Sequence, residues 1–281
     1  MTADQLTLGI QQFAPRLRAP AENLARIVDA AAGVDLLLTP ELSLTGYDVG
    51  DAAHHLALPL ETGAPFPLAD ARTDSAIVLG MIERGPDGTP YNTCTLVRQG
   101  RVLHRHRKIY LPTYGMFDEA RFFGSSDVLD PFELDGWRIG MLVCEDFWHP
   151  GLVYVLAAAG IDLLLVQAAG PGRGVWEAAD DAMPFASMES WTRIARTTAL
   201  LYGIYVALAN RTGVEGAVTF GGGSIIVAPD GSVLAEAGSS DARLEAVLRR
   251  ADLLAARRPG SHVRDEDPHI VRRALDRLAR G

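Results

Sequence analysis

A glutamate, a lysine and a cysteine stand at matching places in this sequence, each where an apolar run turns polar. Glu41 follows VDLLLTP, Lys108 follows VLHRHR, and Cys144 follows IGMLV. In α/β sheets ligands gather beyond the carboxyl ends of strands, so side chains delivered there are candidates for one site. Together the three types could hydrolyse an amide, which needs a nucleophile, a proton carrier and a group to hold the oxyanion. A thiol, with a free pKa of about 8.5, becomes more available as that value falls, and a nearby lysine or the amino end of a following helix lowers it. Glu41 could take the thiol proton, give it to departing ammonia and then activate water. Lys108, with the backbone N–H after the nucleophile, would stabilise the oxyanion. Each residue alone has a plainer reading: a small buried hydrophobe, a loop carboxylate, a member of the basic run HRHRK. Cys94 is the internal contrast, because in YNTCTLV it shares a strand face with Leu96 and has no reactive company, which marks it as core.

The elements that must position these groups are legible as a repeat. AAAGVDLLL begins at Ala30 and AAAGIDLLL at Ala157. Each copy describes a helix that stops at a glycine suited to a left-handed conformation and an Asp-bearing turn into a buried Leu-rich strand. Apolar runs at 6–13 and 137–144 precede the copies, so both halves read as βαβ units. Helices are expected at about 20–32, with Leu24, Ile27, Val28 and Ala31 on one stripe, and at about 150–159. Strands are expected at 75–82, 91–97 and 101–110. A longer helix is expected to be capped by Ser187, to bury Trp191, Ile194, Ala195, Thr198 and Leu201, and to stop at Gly203 before a strand at 204–209. FGGGSIIVAPDGSVLAEAG reads as a hairpin turning at Asp-Gly. His104 and His106 share a strand face without a third ligand, which reads as a polar solvent face, and His54 and His55 sit in a loop.

With 281 residues and a 48% hydrophobic share, the chain can bury a sizeable core. A formal charge of -9 argues against nucleic-acid and anionic membrane partners. Two cysteines so far apart make neither a disulfide framework nor a zinc site. MTADQLTLGI carries an acidic residue where a signal peptide needs positive charge, so a cytoplasmic location is expected. The apolar stretch 151–170 is interrupted by Gly160 and Asp162 and reads as helix then strand, not as a membrane span. Residues 1–256 are read as one domain. The tail 257–281 carries Ile270, Val271, Ala274, Leu275 and Leu278 at helical spacing among arginines, a narrow apolar stripe that suggests contact with a second subunit in a homodimer or larger homo-oligomer.

Three segments, TPELSLTGY, RKIYLPTYGMFDEARFF and LVCEDFWHP, resemble the signature segments of the nitrilase superfamily of carbon-nitrogen hydrolases, in the same order. ANRTG at Ala209 and the FGGGSIIVAPDG stretch extend the likeness over nearly the whole chain. The resemblance implies a four-layer αββα sandwich of two pseudo-symmetric halves, with Glu41 as base, Lys108 as oxyanion-stabilising amine and Cys144 as nucleophile. RKIYLPTYGMFDE and CEDFW are most similar to the glutaminase domain of glutamine-dependent NAD synthetase. That likeness implies that Tyr114 and Phe117 line the pocket, that Glu119 supports the triad as a second carboxylate, and that Glu145 flanks the nucleophile. Two departures stand out: no SGGxDS-like ATP loop occurs in these 281 residues, so no synthetase domain is expected, and QAAGPGRG from Gln167 replaces an Asn-x-Ser-Ala-Ser-like segment. The expected function is a metal-free, cofactor-independent amidohydrolase that forms a Cys144 thioester and releases ammonia from a small amide. A nitrilase or N-carbamoyl hydrolase, a glutaminase subunit feeding a separate synthetase, and a scaffold without turnover are the alternatives.

Overall fold

A computed structural model describes residues 4–68, 73–173, 185–258 and 265–280. In chain order the strands are β1 (Gln5–Gln12), β2 (Leu36–Leu38), β3 (Leu58–Pro59), β4 (Ala76–Arg84), β5 (Pro90–Arg98), β6 (Arg101–Arg107), β7 (Phe132–Leu134), β8 (Trp137–Val143), β9 (Leu163–Ala168), β10 (Tyr205–Asn210), β11 (Thr212–Glu215), β12 (Val218–Gly221), β13 (Ile225–Val227), β14 (Val233–Glu236) and β15 (Ala242–Arg249). The helices are α1 (Pro20–Ala30), α2 (Ala53–Leu56), α3 (Pro150–Ala158), α4 (Ala186–Tyr202), α5 (Arg250–Arg257) and α6 (Pro268–Ala279). One sheet runs β15-β1-β2-β4-β5-β6, with β3 against β4, and a second runs β14-β13-β10-β9-β8-β7.

The repeat builds both sheets by one local device. β1 pairs parallel with β2 across α1, and β8 pairs parallel with β9 across α3. Gly33 and Gly160 take positive φ, of 84° and 79°, where any other residue would be strained. The aspartate two residues on then locks the entry. Asp35 Oδ2 accepts the N–H of Thr7 at 2.7 Å, and Asp162 Oδ2 accepts that of Arg138 at 3.2 Å, each fastening the new strand to its predecessor.

Period-two alternation assigns the faces. Leu36 and Leu38 point between the sheets with Leu6, Leu8 and Ile10, against Met141, Leu163 and Leu165 of the second sheet. Leu37 points the other way, under Leu24, Ile27 and Ala31. α1 thus covers one sheet, and α3 and α4 cover the other. The result is the four-layer αββα sandwich. Burying Leu24 and Ile27 contributes roughly 1.5–3 kcal/mol each, which is what holds α1 down.

Several expectations are corrected. Ser187 does not cap α4; extended Phe185 precedes the helix, and Ser187 Oγ instead accepts from Arg173 N at 2.9 Å and donates to Pro171 O at 3.0 Å. The buried stripe of α4 is Met188, Trp191, Ala195, Thr198 and Ala199, while Leu201 is 51% exposed. The glycine-rich stretch is split, since β12 pairs with β11 in a separate ribbon and only β13 and β14 form the Asp-Gly hairpin. His54 and His55 lie in α2. His104 and His106 do not face solvent: His106 is buried and His104 stacks on Phe132 with ring centroids 4.6 Å apart. That strand end is polar inside because of what it meets there, described below.

No helix among the described residues is long and apolar enough to cross a membrane. α6 has an N-cap, Asp267, accepting from His269 N at 3.0 Å, but buries nothing and leaves Ile270, Leu275 and Leu278 exposed.

Candidate active site

Glu41, Lys108 and Cys144 leave β2, β6 and β8 at their carboxyl ends, and the two sheets bring them together. Glu41 sits in a tight turn whose next residue, Leu42, has φ of 48°. Gly80 of β4 makes room for it, since a Cβ there would lie 2.5 Å from the carbonyl oxygen of Pro40. Glu41 and Lys108 are fully buried, and Lys108 Nζ donates to Glu41 Oε1 and to Glu119 Oε1, both at 2.8 Å. Asn92 Nδ2 donates to the same Glu41 oxygen at 2.7 Å, while Oε2 of Glu41 and Oε2 of Glu119 have no hydrogen-bond partner among the described residues. Tyr47 donates a short hydrogen bond to Glu119 Oε1.

Cys144 opens a 3-10 turn (Cys144–Trp148) with φ of 49°, a conformation costing about 1 kcal/mol in a non-glycine residue. The α-helix proper begins only at Pro150, so no long helix dipole points at the sulfur. Burial pushes the thiol well above its ordinary range and Glu41 pushes it further, while Lys108 and a backbone hydrogen bond from Ala169 act against them. Lys108 therefore acts on the thiol in the expected direction, but desolvation outweighs a lysine already shared by two carboxylates. Burial alone would lower Lys108, but Glu119, Glu41 and Cys144 outweigh it and hold the amine well above its usual value.

Burial raises Glu119 to about 7, with Lys108 opposing and Glu41 adding to the rise. A carboxyl whose folded value lies above its unfolded value binds its proton more tightly in the native chain, so stability falls as pH rises between the two. From pH 5 to pH 7.5 this contribution is on the order of 2 kcal/mol. Glu119→Gln is expected to flatten that part of the stability curve, read from urea midpoints across the interval. An unchanged slope in the variant would place Glu119 among ordinary carboxylates.

A cavity of about 150 Å³ opens beside the sulfur, lined by Tyr114, Phe117, Cys144, Glu145, Trp148, Gly170, Pro171, Arg173, Ser187, Ser190 and Trp191. Tyr114 donates to Glu145 Oε2 at 2.7 Å, and Phe117 meets Tyr114 and Tyr47 edge to face, at 5.6 and 6.1 Å. Burial and Glu145 push the Tyr114 phenol up to about 12. Of the predicted site residues, Cys144, Tyr114, Phe117 and Glu145 thus line this cavity, while Glu41, Lys108 and Glu119 are buried and are not on its wall. Two larger hollows, of about 340 and 480 Å³, lie over the outer helices and are lined by none of the predicted site residues, though the smaller shares Trp148 with the cavity.

Sequence reading missed the supports. Tyr47 is pinned by Glu215, whose Oε1 accepts the N–H of Tyr47 at 2.8 Å and which pairs with buried Arg211 at 2.9 Å. Asn92 had a signal, because it alternates with Cys94 and Leu96 on the inward face of β5 where an amide needs a partner. In QAAGPGRG, Gln167 is buried and donates to the carbonyls of Thr39 and Val78, away from the cavity; Arg173 reaches the cavity, and Gly174 lies outside the described residues. Serine hydroxyls do line the pocket, but from α4.

A family model described as carbon-nitrogen hydrolase matches residues 7–257. A glutamine-dependent NAD(+) synthetase of Rhodobacter capsulatus is 32% identical over 236 residues, covering 82% of this chain and 41% of that protein. A protein of Pseudomonas protegens named hydrolase in pqqF 5'region is 32% identical over 272 residues, covering 94% of this chain and 90% of that one. The chain therefore spans about two fifths of the synthetase, 41%, but most of the Pseudomonas hydrolase, 90%. Among solved structures, an amidase of Nesterenkonia AN1 from the nitrilase superfamily superposes with a TM-score of 0.73 at 27% identity, covering 95% of this chain and 96% of that one. The Acinetobacter baumannii glutamine-dependent NAD+ synthetase shares the fold, with a TM-score of 0.76 at 22% identity over 89% of this chain and 46% of that one. With a match over nearly its full length and the αββα architecture in place, the chain belongs to the carbon-nitrogen hydrolase family, within the nitrilase superfamily.

Proposed function

We propose that this protein is a cysteine amidohydrolase that cleaves the C–N bond of a small amide and releases ammonia. The observation that carries the reading is a buried lysine bonded to two carboxylates beside a cysteine that faces a small cavity. Burial favours the neutral thiol, so attack and deprotonation go together: Cys144 Sγ bonds to the amide carbon as its proton passes to Glu41, whose Oε2 has no other hydrogen-bond partner among the described residues. Lys108 Nζ stabilises the oxyanion. Glu41 then gives the proton to the leaving nitrogen, the C–N bond breaks, and ammonia and a Cys144 thioester remain. Water, deprotonated by Glu41, cleaves the thioester to a carboxylic acid and restores the thiol. A nucleophilic cysteine is in keeping with the Nesterenkonia amidase, of which one mutant is solved with the acetamide moiety of fluoroacetamide added covalently at the active-site cysteine and another with acrylamide.

The cavity suits a compact substrate with a polar end. Arg173 and Glu145 give its wall one cation and one anion. With the guanidinium available for a carboxylate and Glu145 already accepting from Tyr114, an acidic tail is a better match than a glutamine head group, whose ammonium must compete for Glu145. Hydrogen bonds to charged groups contribute about 1.5–3 kcal/mol, so the difference is readable. An ammonia-release screen over glutamine, asparagine, short aliphatic amides, the monoamide of glutaric acid, ureido acids and nitriles tests this. The monoamide is expected to exceed glutamine in kcat/KM by about 10-fold. Glutamine preferred by a wide margin would make the protein a freestanding glutaminase or the ammonia source for a separate synthetase, and release from nitriles or ureido acids alone would reassign the reaction.

A further inference from the structure

Lys108 and Cys144 come from different sheets, which face each other through packed side chains and share no backbone ladder. Apolar packing is non-directional, so it does not by itself fix how far Lys108 stands from the sulfur. One fully buried carboxylate spans the gap. Asp146 Oδ1 accepts the N–H groups of Ile109 at 3.0 Å and Tyr110 at 2.8 Å, the two residues after Lys108. Its Oδ2 accepts the N–H of Val143, the residue before Cys144, at 3.2 Å, and lies 3.1 Å from Nε2 of His106, two residues before Lys108. The bond to Val143 is a local cap on the turn that bears the nucleophile. The other three cross to the lysine strand, and a local cap does not need them.

We propose that Asp146, held by His106, is a positioning residue that sets the lysine against the nucleophile across the sheet interface. The inference rests on the assignment of Lys108 and Cys144 as reacting partners. It explains why β6 carries histidine on an inward face, and why a carboxylate is buried where desolvation would otherwise be costly: every contact it makes is a donor on one of the two segments.

In Asp146→Asn one acceptor oxygen is replaced by a donor, so Val143 and the Ile109–Tyr110 pair can no longer both be served. A displacement of about 1 Å at a reacting group costs on the order of 10²-fold, and kcat is expected to fall by about that much with KM within a few-fold. The pH profile for alkylation of Cys144 by iodoacetamide should move upward, because the thiol then faces Glu41, Glu119 and Tyr47 with the amine withdrawn. A crystal structure of the variant should show Lys108 Nζ displaced from its 2.8 Å contacts. His106→Gln, which can place an N–H near the same position, should stay near wild type, whereas His106→Leu should follow Asp146→Asn. The histidine pair decides the matter if Asp146→Asn does not fold. Equal kcat in His106→Gln and His106→Leu, or a folded Asp146→Asn with Lys108 unmoved and the alkylation profile unchanged, would overturn the proposal. A wild-type Cys144 inert to iodoacetamide, together with a displaced Lys108 in Asp146→Asn, would count against the amidase reading and support the positioning role.

Discussion

Cys144→Ala is expected to lower ammonia release by at least about 10⁴-fold, as removal of a covalent nucleophile does when the rest of the site only binds and polarises. Cys94→Ala is expected to leave kcat within about twofold while costing on the order of 1 kcal/mol in stability, the ordinary effect of trimming a packed side chain. The contrast follows from surroundings, not from accessibility alone, since both sulfurs are buried. Cys94 lies in the apolar core beside Met141 Sδ, at 3.5 Å, with its thiol raised by burial and by Asp146. Cys144 has Lys108 and Glu41 acting on it and a cavity in front of it. Comparable losses in two folded variants would remove Cys144 from the role assigned to it.

Glu41→Gln is expected to lower steady-state turnover by about 10²–10⁴-fold, the range for loss of a positioned general base. Glutamine keeps the shape of the side chain and one oxygen to accept from Lys108 and Asn92, which now meet at Oε1. It supplies no lone pair on the second atom for a proton. With the carboxylate gone, Lys108 retains Glu119 as a partner and the upward push of Glu41 on the thiol disappears. Attack by sulfur also loses its proton acceptor, but a thiol, with a free pKa of about 8.5, is far more acidic than water and can ionise beside Lys108 at raised pH, whereas the water step has no other base at hand. Acyl-enzyme should build up, and a burst of ammonia should precede a slow steady rate. Normal steady turnover in a folded Glu41→Gln would dismiss Glu41 as the base.

What was legible in the sequence was what local chemistry writes. The AAAG-Val/Ile-Asp-Leu repeat carries the helix stop, the turn and the buried strand in nine residues, so the paired βαβ units could be read before any contact was known. Of the three candidate residues, Glu41 and Cys144 were legible because each breaks an apolar run at a strand end, whereas Lys108 ends the basic run HRHRK and stood out only through the family resemblance. The protonation state of Cys144 was not, since it depends on how deeply packing buries the sulfur and on a lysine divided between two carboxylates, neither of which is local. His106 was misread for a related reason: alternation assigns polar residues outward, and this strand turns them inward to meet Asp146. Tyr47 and Arg211 lie in loops and Glu215 ends β11, and none of the three shows a partner in sequence until that ribbon meets the Tyr47 loop. Ser187 fits the composition of a cap, but its hydroxyl is taken by the loop at Pro171 and Arg173.

The central claim is a covalent bond between substrate carbonyl and Cys144. The most direct measurement is acid quench of Glu41→Gln after mixing with the best amide from the screen, followed by intact mass and peptide mapping by mass spectrometry. The account predicts a mass increase equal to the acyl group, on the peptide containing Cys144, that forms as ammonia is released and disappears with neutral hydroxylamine. An unmodified Cys144 during ongoing ammonia release, or an adduct carried on Cys94, would contradict it.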